Sequence, residues 1–179
     1  PSILHFCCHG TETGVVLESD PSSEMDDAAL LLWLKEALEE QDPPLDLMLI
    51  NSCHSDRMLD LFARSGKVVV GPTDAIADDA AIVFSTAFYN GIAAGYGLVF
   101  AYHLGCSAAE ALHLGAVYGM RSQIPMATGN QRADIEGGSG HTIAYLASES
   151  AHRVRLRLDL EFRGISQALQ RAITAKKIR

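Results

Sequence analysis

The chain has 179 residues, 48% of them hydrophobic and 20% charged, and its formal net charge is -8 at pH 7. This length and composition suit one ordered domain, so we expect residues 1–179 to form a single domain. The acidic balance disfavours nucleic acid as a partner, because a surface that follows nucleic-acid phosphates needs dense Lys and Arg. No apolar stretch reaches about 18 residues, which argues against a membrane partner. The four cysteines lack the spacing of a secreted disulfide framework, which predicts a cytoplasmic protein.

Short apolar runs alternate with amphipathic stretches along the chain. The sequence predicts strands at 3–8, 14–18, 45–51, 67–71, 141–148 and 152–160, and helices at 25–40, 55–65, 78–103, 107–121 and the C-terminal end. Strands that alternate with helices are typical of the α/β class with a mostly parallel sheet. Glycines predict that the third helix ends near Gly95 to Gly97. Because the first strand begins almost at Pro1, we expect the segment to be the C-terminal part of a longer protein.

Residues 122–140 are rich in glycine and interrupt this alternation. Most connections in compact domains are shorter than about 12–15 residues, and longer ones are often lids or binding loops. The segment is therefore either a mobile loop that faces substrate or a plain connector.

Two strand ends carry potentially reactive side chains. The run Leu4–Cys8 is followed by His9 and Gly10, and the run Leu49–Ile50 leads through a polar turn to Cys53. The carboxyl ends of neighbouring parallel strands meet at one edge of a sheet, with strand axes about 4.8 Å apart. A cysteine nucleophile requires its thiolate, which a histidine within hydrogen-bond reach generates. The sequence therefore predicts a catalytic dyad of His9 and Cys53.

Gly10 fits the same chemistry, because a backbone amide that approaches a scissile carbonyl must not be shielded by a Cβ atom. We expect the amides of Gly10 and Cys53 to form an oxyanion hole, and His9 to protonate the leaving amine. The alternative interpretation is that Cys53 is a core residue and His9 is a hydrogen-bonded histidine at a strand end.

Zinc binding is a further alternative, because Cys7, Cys8, His9, Cys53 and His54 are residue types that ligate zinc. Adjacent residues such as Cys7 and Cys8 point to opposite faces of a strand, so they do not chelate one ion together easily. The sequence therefore predicts neither a metal nor another cofactor.

The motifs Phe6–Gly10 (FCCHG) and Asn51–Ser55 (NSCHS) resemble the His-Gly and Asp-Ser-Cys-His-Ser signatures of caspase-like cysteine peptidases, metacaspases included. A third block, Val69–Phe84 followed by Phe88–Gly95, is similar to the bacterial CHAT branch of this superfamily, and the likeness covers roughly residues 3–120. The resemblance implies a caspase-like three-layer α/β sandwich, with helices on both faces of a mostly parallel sheet, and a dyad that cleaves peptide bonds. It also implies activation by a fused sensor domain or a partner protein.

One position differs from the family pattern. Metacaspases place an acidic residue where this chain has Asn51, and that acid helps to hold a basic substrate side chain. Asp74 and Asp78 are further candidates for substrate binding, because a carboxylate pairs with a guanidinium through two hydrogen bonds. The alternative roles are helix capping for Asp78 and turn formation for Asp74.

The leading hypothesis is a cysteine endopeptidase that cleaves a protein or peptide substrate in a bacterial signalling or defence pathway. A second hypothesis is a catalytically inactive caspase-like module that acts as a scaffold or sensor. A third is a thiol hydrolase of small molecules on a flavodoxin-like sheet, which predicts a small-molecule pocket instead of an open peptide groove.

Overall fold

The structure is a computed structural model that describes residues 3–12, 14–16, 24–26, 29, 32, 34, 45–115, 117–123, 143–147 and 156–177. The chain divides into two compact units. The first unit takes the described residues up to Ala75 together with 117–123, 143–147 and 156, and the second takes 76–115 and 157–177. The predicted α/β class is confirmed, because the first unit holds a mostly parallel sheet and the described part of the second is helical.

The strands of the first unit form two sheets. They are β1 (Ile3–Cys7), β2 (His9–Gly10), β3 (Gly14–Val16), β4 (Glu24–Asp26), β5 (Leu47–Asn51), β6 (Val68–Pro72), β7 (Tyr118–Arg121) and β8 (Ile143–Ala147). Five strands form the larger sheet in the order β7-β6-β5-β1-β8, and every pairing in it is parallel except that of β6 with β7. The other three form an antiparallel sheet in the order β2-β3-β4.

The two neighbouring strands β1 and β5 lead to the candidate site. Each consists of five buried residues, as expected for inner strands of a parallel sheet. Their register pairs Cys7 with Asn51, so both strands end at the same edge. The pairing continues one residue further, where the Cys8 N–H donates to the Asn51 carbonyl at 3.2 Å.

The helix that follows β5 covers part of this sheet. α1 (Asp56–Ala63) buries one face at helical spacing and packs against β6 and β7, which confirms the helix predicted at 55–65. On its exposed side, Asp56 and Asp60 accept hydrogen bonds from the Arg121 guanidinium at 2.9 and 3.1 Å. These pairs connect the helix to the antiparallel strand, although exposed pairs contribute at most about 1 kcal/mol each.

After β1 the chain enters the small sheet. A tight turn joins β2 to β3, in which the Thr11 N–H donates to the Gly14 carbonyl at 2.8 Å and the Gly14 N–H donates to Thr11 Oγ1 at 3.0 Å. Because β4 pairs with β3 through residue 26, the predicted helix 25–40 is wrong at its first two residues, whereas the described residues 29, 32 and 34 are helical. A local apolar pattern does not reveal such a pairing with a distant strand.

The described part of the second unit consists of α2 (Asp78–Ala93), α3 (Leu98–Ala111) and α4 (Leu158–Lys177). α2 packs against both of the other helices. Its close approach to α3 depends on Gly91, because a Cβ atom there would lie 3.0 Å from the Ala101 Cα. The break predicted near Gly95 is confirmed, and Gly95 has the positive φ of 80° that this turn requires.

Two more predicted elements differ from the structure. The predicted helix 107–121 ends at Ala111, and residues 118–121 form the strand β7. The predicted strand 152–160 is wrong at 158–160, which belong to α4. Its residues 152–155 lie outside the described residues, as do 124–140 of the predicted glycine-rich loop. None of the described helices has the length and apolar character needed to cross a membrane.

Candidate active site

The two strand ends predicted to carry the dyad are in direct contact. A Cβ atom added at Gly10 would lie 2.9 Å from the carbonyl carbon of Cys53, and closer still to the Cys53 carbonyl oxygen and to Ser52 Oγ. The first residues of β2 therefore lie against the backbone of the turn that holds Cys53. The structure thus brings His9, Gly10 and Cys53 to one edge of the sheet, while their chemical roles stay predictions.

His9 begins β2 and is held there by its pairing with Val16 of β3. The residue is half-buried, and its Nε2 atom is buried without a hydrogen-bond partner among the described residues. A buried nitrogen without a hydrogen-bond partner costs about 1–3 kcal/mol, and a catalytic role is one of the reasons for which native structures retain such atoms. A neutral Nε2 is a hydrogen-bond acceptor, and none of the described thiols donates to it in this structure.

Cys53 lies in a turn that is held at several points. The Ser55 hydroxyl donates to the Ser52 carbonyl, and the Ser55 N–H donates to the Pro72 carbonyl at 3.0 Å. The next residue, His54, has a φ of 57°, a backbone conformation that residues other than glycine rarely adopt. Its N–H donates to the Asp74 carbonyl at 3.3 Å. Backbone strain of about 1–3 kcal/mol persists only where the surroundings enforce it, and it is concentrated at functional sites.

The cysteines at this edge differ in their exposure. All four cysteines of the chain are present as thiols. Cys8 is 3% exposed, and burial raises its pKa to about 12, with a smaller contribution from the nearby Cys53. Cys53 is half-buried and lies outside the strand. Cys8 is therefore a protonated core thiol at neutral pH, and Cys53 is the less buried residue of the two.

Asn51, a predicted substrate-binding residue, is 4% exposed at the end of β5. The Tyr118 hydroxyl donates to Asn51 Oδ1 at 3.0 Å, and Asn51 Nδ2 lies 3.4 Å from His5 Nε2. The amide group thus belongs to a buried polar network. Tyr118 and His5 are not among the predicted site residues, because no local pattern relates Tyr118 to a residue 67 positions away.

The two aspartates predicted to bind substrate are in different units. Asp74 lies beside the Cys53 turn; its side chain is 75% exposed, and its Oδ1 atom is 3.8 Å from His54 Nδ1. The same oxygen accepts a hydrogen bond from the Ala75 N–H at 2.7 Å, which agrees with the alternative role in a turn. Asp74 is thus the aspartate that the structure brings near Cys53.

Asp78 is the first residue of α2 in the second unit, and the N-cap of that helix is Ala77. The Asp78 carboxylate accepts a hydrogen bond from the Arg157 N–H at 3.2 Å, and Asp79 pairs with the Arg157 guanidinium. Both aspartates therefore connect the start of α2 to the residue that precedes α4. The alternative role of Asp78 as a capping residue is wrong, because α2 has no side-chain hydrogen bond at its N-cap.

Within the described ranges, no three His, Cys, Asp or Glu side chains are placed to hold a metal ion together. This edge of the sheet holds a half-buried cysteine, a half-buried histidine and a glycine whose backbone approaches the cysteine turn. Comparison with models of known protein families and with curated proteins finds no match for the chain.

Proposed function

We propose that this chain is a caspase-like cysteine endopeptidase, most similar to the CHAT branch, in which Cys53 is the nucleophile and His9 is the general base and acid. The observation that carries the proposal is the backbone contact between Gly10 and Cys53, which brings the residue after His9 against the turn of the half-buried cysteine. The burial of Cys8 supports the same assignment, since it leaves one solvent-accessible thiol at this edge.

In the proposed reaction, His9 takes the thiol proton of Cys53, and the thiolate attacks the carbonyl carbon of the scissile peptide bond. The amides of Gly10 and Cys53 stabilise the negative charge on the carbonyl oxygen. The imidazolium of His9 then protonates the leaving amine, and an acyl-enzyme thioester is formed. Attack by a water molecule, whose proton passes to His9, releases the acid and restores the thiol.

The finer features of the proposal follow from the family resemblance. The fold is a caspase-like three-layer sandwich, and a sensor domain or partner protein activates the peptidase. The cytoplasmic location is inferred from the cysteine spacing instead. The substrate is a protein or peptide. Asp74 is the candidate for contact with a basic substrate side chain, because its exposed carboxylate lies beside the Cys53 turn.

Cleavage of a proteome-derived peptide library, analysed by mass spectrometry, tests the proposal. We expect the wild-type chain to cleave a subset of peptides, Cys53→Ala to lose cleavage entirely, and His9→Gln to lose a factor of about 10²–10⁴. His103→Gln, at an exposed position on α3, is the matched control and should keep full activity. Cleavage by Cys53→Ala at the wild-type rate would contradict the mechanism. A wild-type chain that cleaves no peptide and has an ordinary thiol at Cys53 would be a scaffold or sensor module instead.

A further inference from the structure

A buried polar network connects the end of β5 to three other strands of the larger sheet. Asn51 Oδ1 accepts from the Tyr118 hydroxyl of β7 at 3.0 Å, and Asn51 Nδ2 faces His5 Nε2 of β1 at 3.4 Å. The His5 ring in turn packs against Tyr145 of β8, with ring centroids 4.9 Å apart. His5 is fully buried, and Asn51 and Tyr118 are 4% and 7% exposed. The dyad chemistry described above uses none of these side chains.

Asn51 occupies the junction between the two reactive strand ends. Its backbone carbonyl accepts from the N–H of Cys8, the residue before His9. Its own position is two residues before Cys53. A displacement of Asn51 would therefore move the His9 end and the Cys53 end relative to each other. A side chain held by two buried partners is suited to prevent that displacement, because buried hydrogen bonds are geometrically demanding.

We propose that Tyr118 and Asn51 are positioning residues for the nucleophile, and that the Tyr118 hydroxyl sets the reactivity of Cys53 through Asn51. The inference rests on the proposed function, since it assigns a role in the geometry of the same site. It explains why a polar network lies in an otherwise apolar sheet interior. A well-packed apolar pair in its place would stabilise the fold about as well.

Alkylation by iodoacetamide tests the inference, with the modification of each cysteine measured by peptide mass spectrometry. In Tyr118→Phe we expect the rate at Cys53 to fall about fivefold, the factor that corresponds to one buried hydrogen bond. The rate at Cys106 in the second unit should not change, and Cys8 should stay protected. Tyr96→Phe, at an exposed position in the second unit, is the matched control.

A purely structural role for Tyr118 has a different signature. Loss of stability would open the core and increase the alkylation of Cys8, which is 3% exposed in the folded chain. The double variant Tyr118→Phe/Asn51→Leu separates the two roles further, because it removes both polar side chains of the pair at once. With a positioning role, alkylation of Cys53 stays slow in the double variant, as it does in Tyr118→Phe. Recovery of the wild-type rate at Cys53 would overturn the inference.

The same experiment on His9→Gln distinguishes failure of the inference from failure of the proposed function. If both variants slow the alkylation of Cys53, the inference is supported. If only His9→Gln slows this alkylation, the inference is wrong and the proposed dyad stands. If only Tyr118→Phe slows it, the coupling through Asn51 is supported and the dyad is wrong. If neither variant slows it, the inference and the dyad are both wrong.

Discussion

Cys8 and Cys53 follow neighbouring strands of one sheet, but their surroundings differ. Cys8 is 3% exposed in the hydrophobic core, and burial raises its pKa to about 12. Cys53 lies in the turn beyond β5 and is half-buried. Position relative to the strand end thus determines how deeply each of these two thiols is buried.

The two strand ends also differ in how the backbone is held. The end of β1 continues directly into β2, where Gly10 provides the close approach to Cys53. The end of β5 is followed by a turn in which His54 has a positive φ and the Ser55 hydroxyl donates a hydrogen bond to the Ser52 carbonyl. The end of β1 thus depends on a glycine, which has no Cβ atom. The end of β5 depends on a strained backbone conformation that the neighbouring residues maintain.

The largest expected effect comes from Gly10→Ala. The added methyl group overlaps the backbone of Cys53, which cannot rotate away as a flexible side chain would. We expect the free energy of unfolding to fall by about 2–4 kcal/mol and Cys53 alkylation to lose its dependence on His9. Chemical denaturation and cysteine labelling measure the two quantities.

Gly66→Ala is the matched control for this variant. Gly66 has a φ of 79° with open space around its Cα, so alanine there should cost about 1 kcal/mol and leave Cys53 unchanged. Equal effects of the two variants on Cys53 would show that the Gly10 contact does not hold the site.

A smaller effect is expected in the pH dependence of stability. Burial raises the pKa of Cys8 from the ordinary value of 9.0 to about 12 in the folded chain. Above pH 9.0 the folded state therefore keeps a proton that the unfolded state loses, so the free energy of unfolding declines as the pH rises. We expect a loss of about 1 kcal/mol between roughly pH 9 and 10.

Urea unfolding of the wild type and of Cys8→Ala, under reducing conditions, measures this slope. The variant should have a smaller slope, because alanine does not titrate, and the part that remains comes from Cys106, whose pKa burial also raises. Burial also raises the pKa of Tyr89, so a second loss common to both chains begins above about pH 10. Parallel stability curves below that pH would contradict the burial of the Cys8 thiol.

The smallest effect is expected at His54. Its φ of 57° suits glycine, so His54→Gly should be more stable than His54→Ala by about 1 kcal/mol. Comparing the two variants cancels the loss of the exposed contact with Asp74, which lies 3.8 Å away. Thermal unfolding of both gives the difference, and an alanine variant at least as stable as the glycine variant would refute the assigned strain.

The sequence allowed the sheet to be predicted better than the chain's helix boundaries. Runs such as Leu47–Asn51 are short, apolar and bounded by turn residues, which is the pattern of a buried strand. Tyr118–Arg121 was predicted as helix because its strand character comes from antiparallel pairing with β6, a long-range contact. For the same reason, the pairing of β4 with β3 was not predicted.

The candidate site was predicted in its local part only. His9, Gly10 and Cys53 follow apolar runs, so their position at one edge could be inferred from strand ends alone. The contact of Tyr118 with Asn51 joins residues 67 positions apart and required the structure. Local sequence patterns report which element a residue belongs to, and they carry no information about which distant side chain it meets.

The most direct test of the central claim is the rate of Cys53 alkylation by iodoacetamide from about pH 4 to pH 9, compared between the wild type and His9→Ala. If His9 stabilises the thiolate, we expect the wild-type rate to stay high well below neutral pH and His9→Ala to lose this low-pH reactivity. Cys106 serves as an internal reference in both chains. Identical pH profiles for Cys53 in the two chains would contradict a His9-activated nucleophile.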